Sequence, residues 1–230
     1  MINTLNVSPK GKLKGREKFS VTFVENKDIE NKKILDVGCG YGWMELALQK
    51  KGAKDICGIE YREKDLATAK KYIKESNIEF KVGSAIDIPY KDASFDTVIS
   101  WEVIEHIPKG TEQKMLSEIN RVLKKGGVCY LSTPFRSLPS VILDPAWWLI
   151  GHRHYSVHSL VLLALKNNFS LERLTIRGKW WTLFSILNMY ISKWVLRQNS
   201  PLTKFLEEKD TAEYTSVEGF DNIFIKIRKN

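Results

Sequence analysis

The sequence predicts a doubly wound α/β sheet, and three observations predict it. Short β-branched runs alternate with helical patterns over most of the chain. The first run, "KILDVG" (33–38), opens directly into a glycine-rich turn, and the second, "DICGIE" (55–60), closes on an acid. Strands alternating with helices require right-handed crossovers, and therefore parallel strands covered by helices on both faces.

Each element has its own signal. After the first two runs, "EFKVG" (79–83), "FDTVIS" (95–100) and "GVCYLST" (127–133) have the length and apolar content of buried strands. Helical patterns fill 42–51, 62–75 and 111–124, the last closing in "KKGG" with lysine at its end and glycine as the stop. Beyond residue 134 the rhythm changes. A helix is expected over 156–168 with Ser156 as its N-cap, then a strand over 169–178, a helix over 180–197 and a final strand over 219–229. No repeat, low-complexity tract or linker divides these elements, so one domain is expected over 1–230.

The bulk numbers narrow the class. A chain of 230 residues, 43% apolar and 27% charged, has globular composition and can bury a sizeable core. The start, "MINTLNVSPKGKLKG", lacks the apolar centre of a secretory signal. Cys39, Cys57 and Cys129 lie far apart, which argues against a disulfide framework or a zinc cluster and for a cytoplasmic location. The net charge of +9 would suit nucleic acid, anionic lipid or acidic substrates, yet the lysines are spread along the whole chain as on a solvated surface.

The glycine turn says which ligand to expect. Asp36, Gly38, Gly40 and Gly42 alternate, and Trp43 stands where a dinucleotide fingerprint needs its third glycine. The Gly-Lys-Ser/Thr of a phosphate loop is absent. An acid just ahead of the glycines suits a ligand carrying an ammonium group better than one carrying a pyrophosphate.

On these residues the sequence resembles the class I S-adenosylmethionine-dependent methyltransferases. "LDVGCGYG" looks like their first motif. Glu60, "VGSAIDIPYKDASFDTVISWEVIEHIP" (82–108) and "INRVLKKGGVCYLSTP" (119–134) follow in order, so the likeness covers about 33–134. The resemblance implies a Rossmann-like, three-layer α/β/α fold whose seven-stranded sheet has an antiparallel last strand. It implies S-adenosylmethionine as cofactor, a cofactor-binding core over 33–134, and an acceptor-recognition and lid region over 135–218. By the same likeness, Gly38, Cys39, Gly40 and Gly42 bring backbone close to the methionine moiety. Asp36 holds the ammonium group directly or through water, and Glu60, beside Tyr61, accepts the ribose hydroxyls. Ser84, Ala85 and Ile86 surround the adenine, while Ser100 and Trp101 flank the methionine end. Ser84 is a departure: the family often has an acid there, and serine bonds the adenine amino group more weakly.

Methyl transfer from a sulfonium needs an acceptor held at near-attack distance and, for a hydroxyl or amine, a base. Two stretches offer one. In "WEVIEHIP", Glu102, Glu105 and His106 stand at i, i+3 and i+4, a spacing that would place them on one helical face. The stretch resembles one in the ubiquinone-biosynthesis O-methyltransferases that is associated with a divalent metal. Similar residues also occur in relatives without metal, so the expectation is that His106 lines the acceptor pocket and that no metal is held. In "GHRHYSVHS", His152, Arg153, His154, Tyr155 and His158 follow the fifth strand, at the rim where such sheets bind ligands. Zinc would want a third ligand and outer support. The expected role is substrate recognition with His154 or Tyr155 near the acceptor, against a polar loop that satisfies its own backbone.

The acceptor itself is bounded from two sides. No Asn/Asp-Pro-Pro-aromatic motif, no cysteine placed for cytosine C5 chemistry and no RNA-binding module is present, which disfavours nucleic acid. Five of the seven tryptophans lie beyond residue 146, and on a helical wheel of 180–196 Thr182, Ser185, Asn188, Ser192 and Lys193 share one arc. The stretch falls short of the ~20 apolar residues a spanning helix needs. It would lie in a membrane interface, wall a lipophilic pocket or face the core as an ordinary helix. The basic start "SPKGKLKGREKF" either covers the site, with Arg16 and Lys18 toward an anionic group, or stands solvated. The function expected is O- or C-methylation of a small lipophilic acceptor, with contact to a membrane surface through 180–197. A polar metabolite or glycan acceptor, and a non-catalytic cofactor-binding partner protein, stay open. Nothing in the sequence signals an oligomeric state.

Overall fold

The computed structural model describes residues 9, 11–198, 200–215 and 218–230. Its sheet comprises β1 (Lys33–Val37), β2 (Asp55–Glu60), β3 (Ile78–Val82), β4 (Phe95–Trp101), β5 (Leu123–Pro134), β6 (Phe169–Arg177) and β7 (Asn222–Lys229). The spatial order is β3-β2-β1-β4-β5-β7-β6. β1 to β5 pair in parallel, and β7 runs antiparallel to both β5 and β6. From β1 the chain builds outward to β2 and β3, then returns past β1 to lay down β4 and β5. That reversal opens a crevice at the carboxyl ends of β1 and β4, where an open α/β sheet takes its ligand.

The helices are α1 (Gly15–Phe23), α2 (Trp43–Lys50), α3 (Glu63–Tyr72), α4 (Glu112–Val122), α5 (Leu138–Leu143), α6 (Pro145–Ile150), α7 (Val157–Lys166), α8 (Trp180–Ile191) and α9 (Thr203–Thr215). Alternate strand residues face opposite sides, giving two cores. Leu35, Val37, Val98 and Leu131 meet Met115, Ile119, Leu160 and Ala164 of α4 and α7. Ile34, Ile56, Ile99 and Tyr130 meet Phe23, Met44 and Leu48 of α1 and α2.

Three sequence expectations change. α4 stops at Val122 and β5 begins at once, so Lys124–Gly127 belong to the strand and not to a helix stop. The glycines serve a bulge there: the register jumps between Phe95 and Thr97, and a Cβ on Gly127 would meet the carbonyl oxygens of Asp96 and Lys124 at 2.9 Å. The helix expected over 180–197 ends at Ile191 and continues as a π turn over Ser192–Leu196. Four helices, α1, α5, α6 and α9, lie where no element was expected. Ser156 caps α7 as the sequence suggested, its Oγ accepting from the Ser159 amide at 3.1 Å.

One charged residue sits deep in the sheet. Lys226, with its side chain 1% exposed, stands in the middle of β7. Its Nζ lies 2.8 Å from Asp28 Oδ2, 3.0 Å from Glu172 Oε2 and 3.1 Å from Glu25 Oε1. Tyr130 completes the cluster by donating to Asp28 at 2.6 Å.

Candidate cofactor and acceptor site

The glycine loop turns between β1 and α2. Gly38 has φ of +81°, and a Cβ there would come within 2.4 Å of Val103, so this glycine lets the loop after β4 pack against the loop after β1. Gly40, at φ +54°, has no protein atom within 4 Å of the corresponding position: its edge is open. The Gly40 amide donates to Glu60 Oε2 at 3.3 Å and the Tyr61 amide to Glu60 Oε1 at 2.8 Å, which fixes the acid at the end of β2. Cys39 points inward, its Sγ 2.9 Å from where a Gly58 Cβ would lie, so the loop offers backbone and not thiol.

Beneath the loop lies an uncompensated pair of acids. Asp36 and Glu45 are both buried, and neither carboxylate oxygen of Glu45 has a hydrogen-bond partner. Burial first, then the Glu60 charge, pushes the Asp36 carboxyl up to about 7. Burial, then Asp36, holds Glu45 well above the usual carboxylate range. Two further buried polar atoms without a partner, Ser100 Oγ and Trp101 Nε1, mark the end of β4. Trp101 packs on Phe23 and Phe224. Ser84 Oγ accepts from the Ile86 amide at 3.3 Å, with Ala85 and Ile86 half-buried beside the core. This donor set fits a ligand that brings positive charge to Asp36 and hydroxyls to Glu60, as S-adenosylmethionine does.

α1 straps this crevice. Arg16 Nη1 donates to Glu102 Oε2 at 3.0 Å, Glu17 accepts from the Tyr41 hydroxyl of the glycine loop, and the Gly15 amide donates to Thr211 of α9 at 2.8 Å. Arg16 is thus paired within the protein, while Lys18 stays exposed. Glu102 has a left-handed backbone, φ +56°, and is held there by Arg16, by Ser132 Oγ at 2.6 Å and by Asn222 Nδ2 at 3.1 Å. A strained non-glycine residue at the end of β4 is characteristic of a site whose surroundings over-determine it.

Residues 102–107 form a turn and not a helix, so Glu102, Glu105 and His106 do not share a helical face. Glu102 is spent on Arg16. Glu105 and His106 instead meet His152 from the loop after α6. The His106 and His152 rings stack with centroids 4.8 Å apart, and His152 Nε2 lies 3.8 Å from Glu105 Oε1. These side chains, with Ile107, Trp147 and Arg153, line a cavity of about 600 Å³. Burial, then the charge of His152, pulls the His106 imidazole down to about 4, so it is neutral at physiological pH.

The sequence reading expects no metal at Glu105 and His106, because similar residues occur in relatives without one. The fold brings His152 there. Ligand atoms of Glu105, His106 and His152 lie within 4.8 Å of one another, and Glu105 Oε1 is buried without a hydrogen-bond partner. His152 Nδ1 meets Asp144 Oδ2 at 2.9 Å, the outer carboxylate a metal-bound imidazole ordinarily has. The set fits a divalent cation.

The two other sequence candidates brace this site. His154 is buried, with Nδ1 3.1 Å from the Phe135 carbonyl and Nε2 2.9 Å from Asp144 Oδ2, so both ring nitrogens are used. Burial alone would raise Asp144, but hydrogen bonds from His152 and His154 overcome it and hold the carboxyl well below its usual range. The Tyr155 hydroxyl donates to the Ile104 carbonyl at 3.1 Å, and Arg153 donates to the carbonyls of Ile104 at 2.5 Å and Ile107 at 2.7 Å. The histidine-rich loop therefore clamps the turn that carries Glu105 and His106.

Residues 35–131 match the family model described as a methyltransferase domain. The chain is 28% identical over 162 residues to the ubiquinone biosynthesis O-methyltransferase of Pelagibacter ubique, a match covering 65% of this chain and 66% of that relative. It is 30% identical over 151 residues to the protein of the same name from Idiomarina loihiensis, covering 62% and 58%. Over its methyltransferase domain the chain is similar to S-adenosylmethionine-dependent methyltransferases. It spans about two thirds or less of the length of these curated members of the family. The fold is similar to that of an S-adenosylmethionine-dependent methyltransferase from Mesorhizobium loti, with a TM-score of 0.60 at 16% identity over 88% of this chain and 93% of that one. The seven strands with β7 reversed are the arrangement the sequence resemblance implied.

Proposed function

We propose that the protein transfers a methyl group from S-adenosylmethionine to an oxygen or carbon of a small lipophilic acceptor. The observation that carries this reading is the buried Asp36–Glu45 pair at the open edge of the glycine loop, two carboxylates that no cation among the described residues pairs with. The cofactor supplies a methyl already activated by positive sulfur. Asp36 would hold its ammonium, Glu60 its ribose hydroxyls, and Ser84, Ala85 and Ile86 its adenine, with Ser100 and Trp101 near the methionine end.

The acceptor would lie in the cavity beside His106. Transfer forms the acceptor–CH3 bond and breaks the S–CH3 bond, and a hydroxyl acceptor gives up its proton, which the neutral His106 ring can receive. Where a divalent cation is bound, Glu105, His106 and His152 would hold it, and it would polarise the acceptor hydroxyl in place of proton transfer to His106. His154 and Tyr155 act through the parts they brace, Asp144 and the turn at Ile104. The same reading treats 33–134 as the cofactor core and 135–218 as the acceptor and lid region, now joined by α1. It takes the enzyme to be cytoplasmic and peripheral at a membrane through 180–197.

Purified protein, methyl-labelled cofactor and a cell extract split into organic and aqueous fractions test this directly. Label is expected in the organic phase, and label only in the aqueous phase would replace the lipophilic acceptor with a polar one. His106→Ala should lower turnover about a hundredfold with cofactor affinity, measured by calorimetry, unchanged. Full activity in that variant would remove His106 from the mechanism.

A further inference from the structure

α8 is built inside out for a helix in water. Its polar residues face the protein. Thr182 is buried and bonds Asp210 Oδ1 at 2.6 Å, Asn188 bonds Thr203 at 3.1 Å, and Ser192 Oγ accepts from the Ser200 amide at 3.1 Å. The outward side of α8 and of the π turn that continues it carries Trp181, Phe184, Ile191, Trp194 and Val195, the last of them 72% exposed. α9 holds this orientation: Glu213 accepts from the amides of Lys179, Trp181 and Thr182 and so caps α8. An amphipathic helix normally does the reverse, presenting its apolar stripe to the core.

The apolar face continues beyond α8. Phe205 of α9 packs edge-on to Trp181 and is itself half exposed. α5 packs against α8 and leaves Leu138 and Ile142 exposed. Trp148 of α6, 67% exposed, donates from its indole to the Ile142 carbonyl at 3.1 Å, and Leu149 beside it is exposed as well. A face of this extent, rich in tryptophan, is not left to water in an ordinary soluble domain.

Charge says what covers it. From Lys179 to Leu206 the chain has no acidic residue, and Lys179, Lys193, Arg197 and Lys204 are its charged groups. Among the described residues no helix is long and apolar enough to cross a membrane. Tryptophan seated at the headgroup level, flanked by cations, is the composition of a helix lying in the plane of a bilayer. We propose that the face formed by α5, α6, α8 and the start of α9 docks on an anionic phospholipid bilayer.

The position of the cavity adds a consequence. Trp147 lines the cavity beside His106 and His152, and its neighbour Trp148 stands on the apolar face. A lipophilic acceptor dissolved in the bilayer would enter from that side without crossing water. This entry route rests on the proposed methyl transfer; the lipid face stands on the surface alone.

Sedimentation with vesicles tests the proposal, using the whole chain and phosphatidylcholine with or without phosphatidylglycerol. Binding is expected on the vesicles containing phosphatidylglycerol and little on pure phosphatidylcholine. Each charge neutralisation, Lys193→Gln or Arg197→Gln, should weaken partitioning about fivefold. The exposed-site variant Trp148→Glu/Trp194→Glu should abolish binding while cofactor affinity, the control for folding, stays as in the wild type. No binding to either vesicle, or binding indifferent to these changes, overturns the proposal. So does a dimer in sedimentation velocity that these substitutions dissociate, because the face would then belong to a second copy. Vesicle binding without methyl transfer would instead overturn the function and keep the lipid face.

Discussion

Asp36→Asn is expected to make the cofactor-free protein more stable above neutral pH and at the same time to weaken cofactor binding by about 10- to 100-fold, the loss of one charge-assisted contact. Both effects come from one cause. Burial and the Glu60 charge push the Asp36 carboxyl up to about 7. The folded protein therefore holds this proton more tightly than the unfolded chain. The associated stability is fully present below the ordinary carboxylate value of 3.8 and is lost as pH rises through about 7. Asparagine mimics the protonated acid, so it avoids that loss, on the order of a few kcal/mol. It also removes the negative charge that an ammonium group would meet. Wild-type affinity should thus strengthen as pH rises through about 7, with proton release on binding, and the variant should show neither. Calorimetry in two buffers of different ionisation enthalpy reads the proton, and urea unfolding reads the stability. A variant that binds as tightly as the wild type would take Asp36 out of the cofactor site.

Lys226→Met should destabilise the protein by about 3–5 kcal/mol, the usual cost of removing one partner from a buried ionic cluster. Glu172 retains Arg228 and Glu25 retains Lys27 at 2.7 Å, but Asp28 loses the one cation it meets among the described residues and keeps the Tyr130 hydroxyl. The second substitution Asp28→Asn should therefore recover part of the loss, a coupling that a double-mutant cycle measures. The pH dependence has a definite sign. Hydrogen bonds from Arg228, then Lys226, pull the Glu172 carboxyl down to about 2 against burial, so its stabilisation is present above the ordinary 4.5 and disappears as pH falls toward about 2. The variant should be less stable at neutral pH and lose less on acidification. Equal stability of variant and wild type would mean that Lys226 is a passenger in β7.

The cofactor half of the site was legible because its determinants are local. Asp36, the alternating glycines and Glu60 lie within one βαβ unit, and strand and helix periods around them follow from the sequence alone. The acceptor half was legible only as composition. Glu105 and His152 are far apart in the chain and meet because Arg153 and Tyr155 clamp the turn after β4. The arc of polar residues on α8 was visible, but which way it faced depends on α9, whose own pattern gave no amphipathic signal. α1 likewise has little propensity to recommend it and is seated by Arg16–Glu102 and Gly15–Thr211. For α5 and α6 the signals did exist: Ser137, and Asp144-Pro145 ahead of Gly151, are a cap, a first-turn proline and a stop.

The placement of β7 orders how the sheet comes apart. Among the described residues β6 has no strand partner other than β7, whereas β7 is bonded on both sides, to β5 and to β6. Any excursion that frees β7 must also free β6 from the sheet, while β6 can peel away and leave the β5–β7 ladder standing. Native-state hydrogen exchange should therefore find the amides of Ile223, Ile225 and Ile227 at least as slow as any in 170–177. Opening at that edge loosens β6 and the start of α8 that follows it, and leaves the strands that carry Asp36, Glu60 and Glu102 closed.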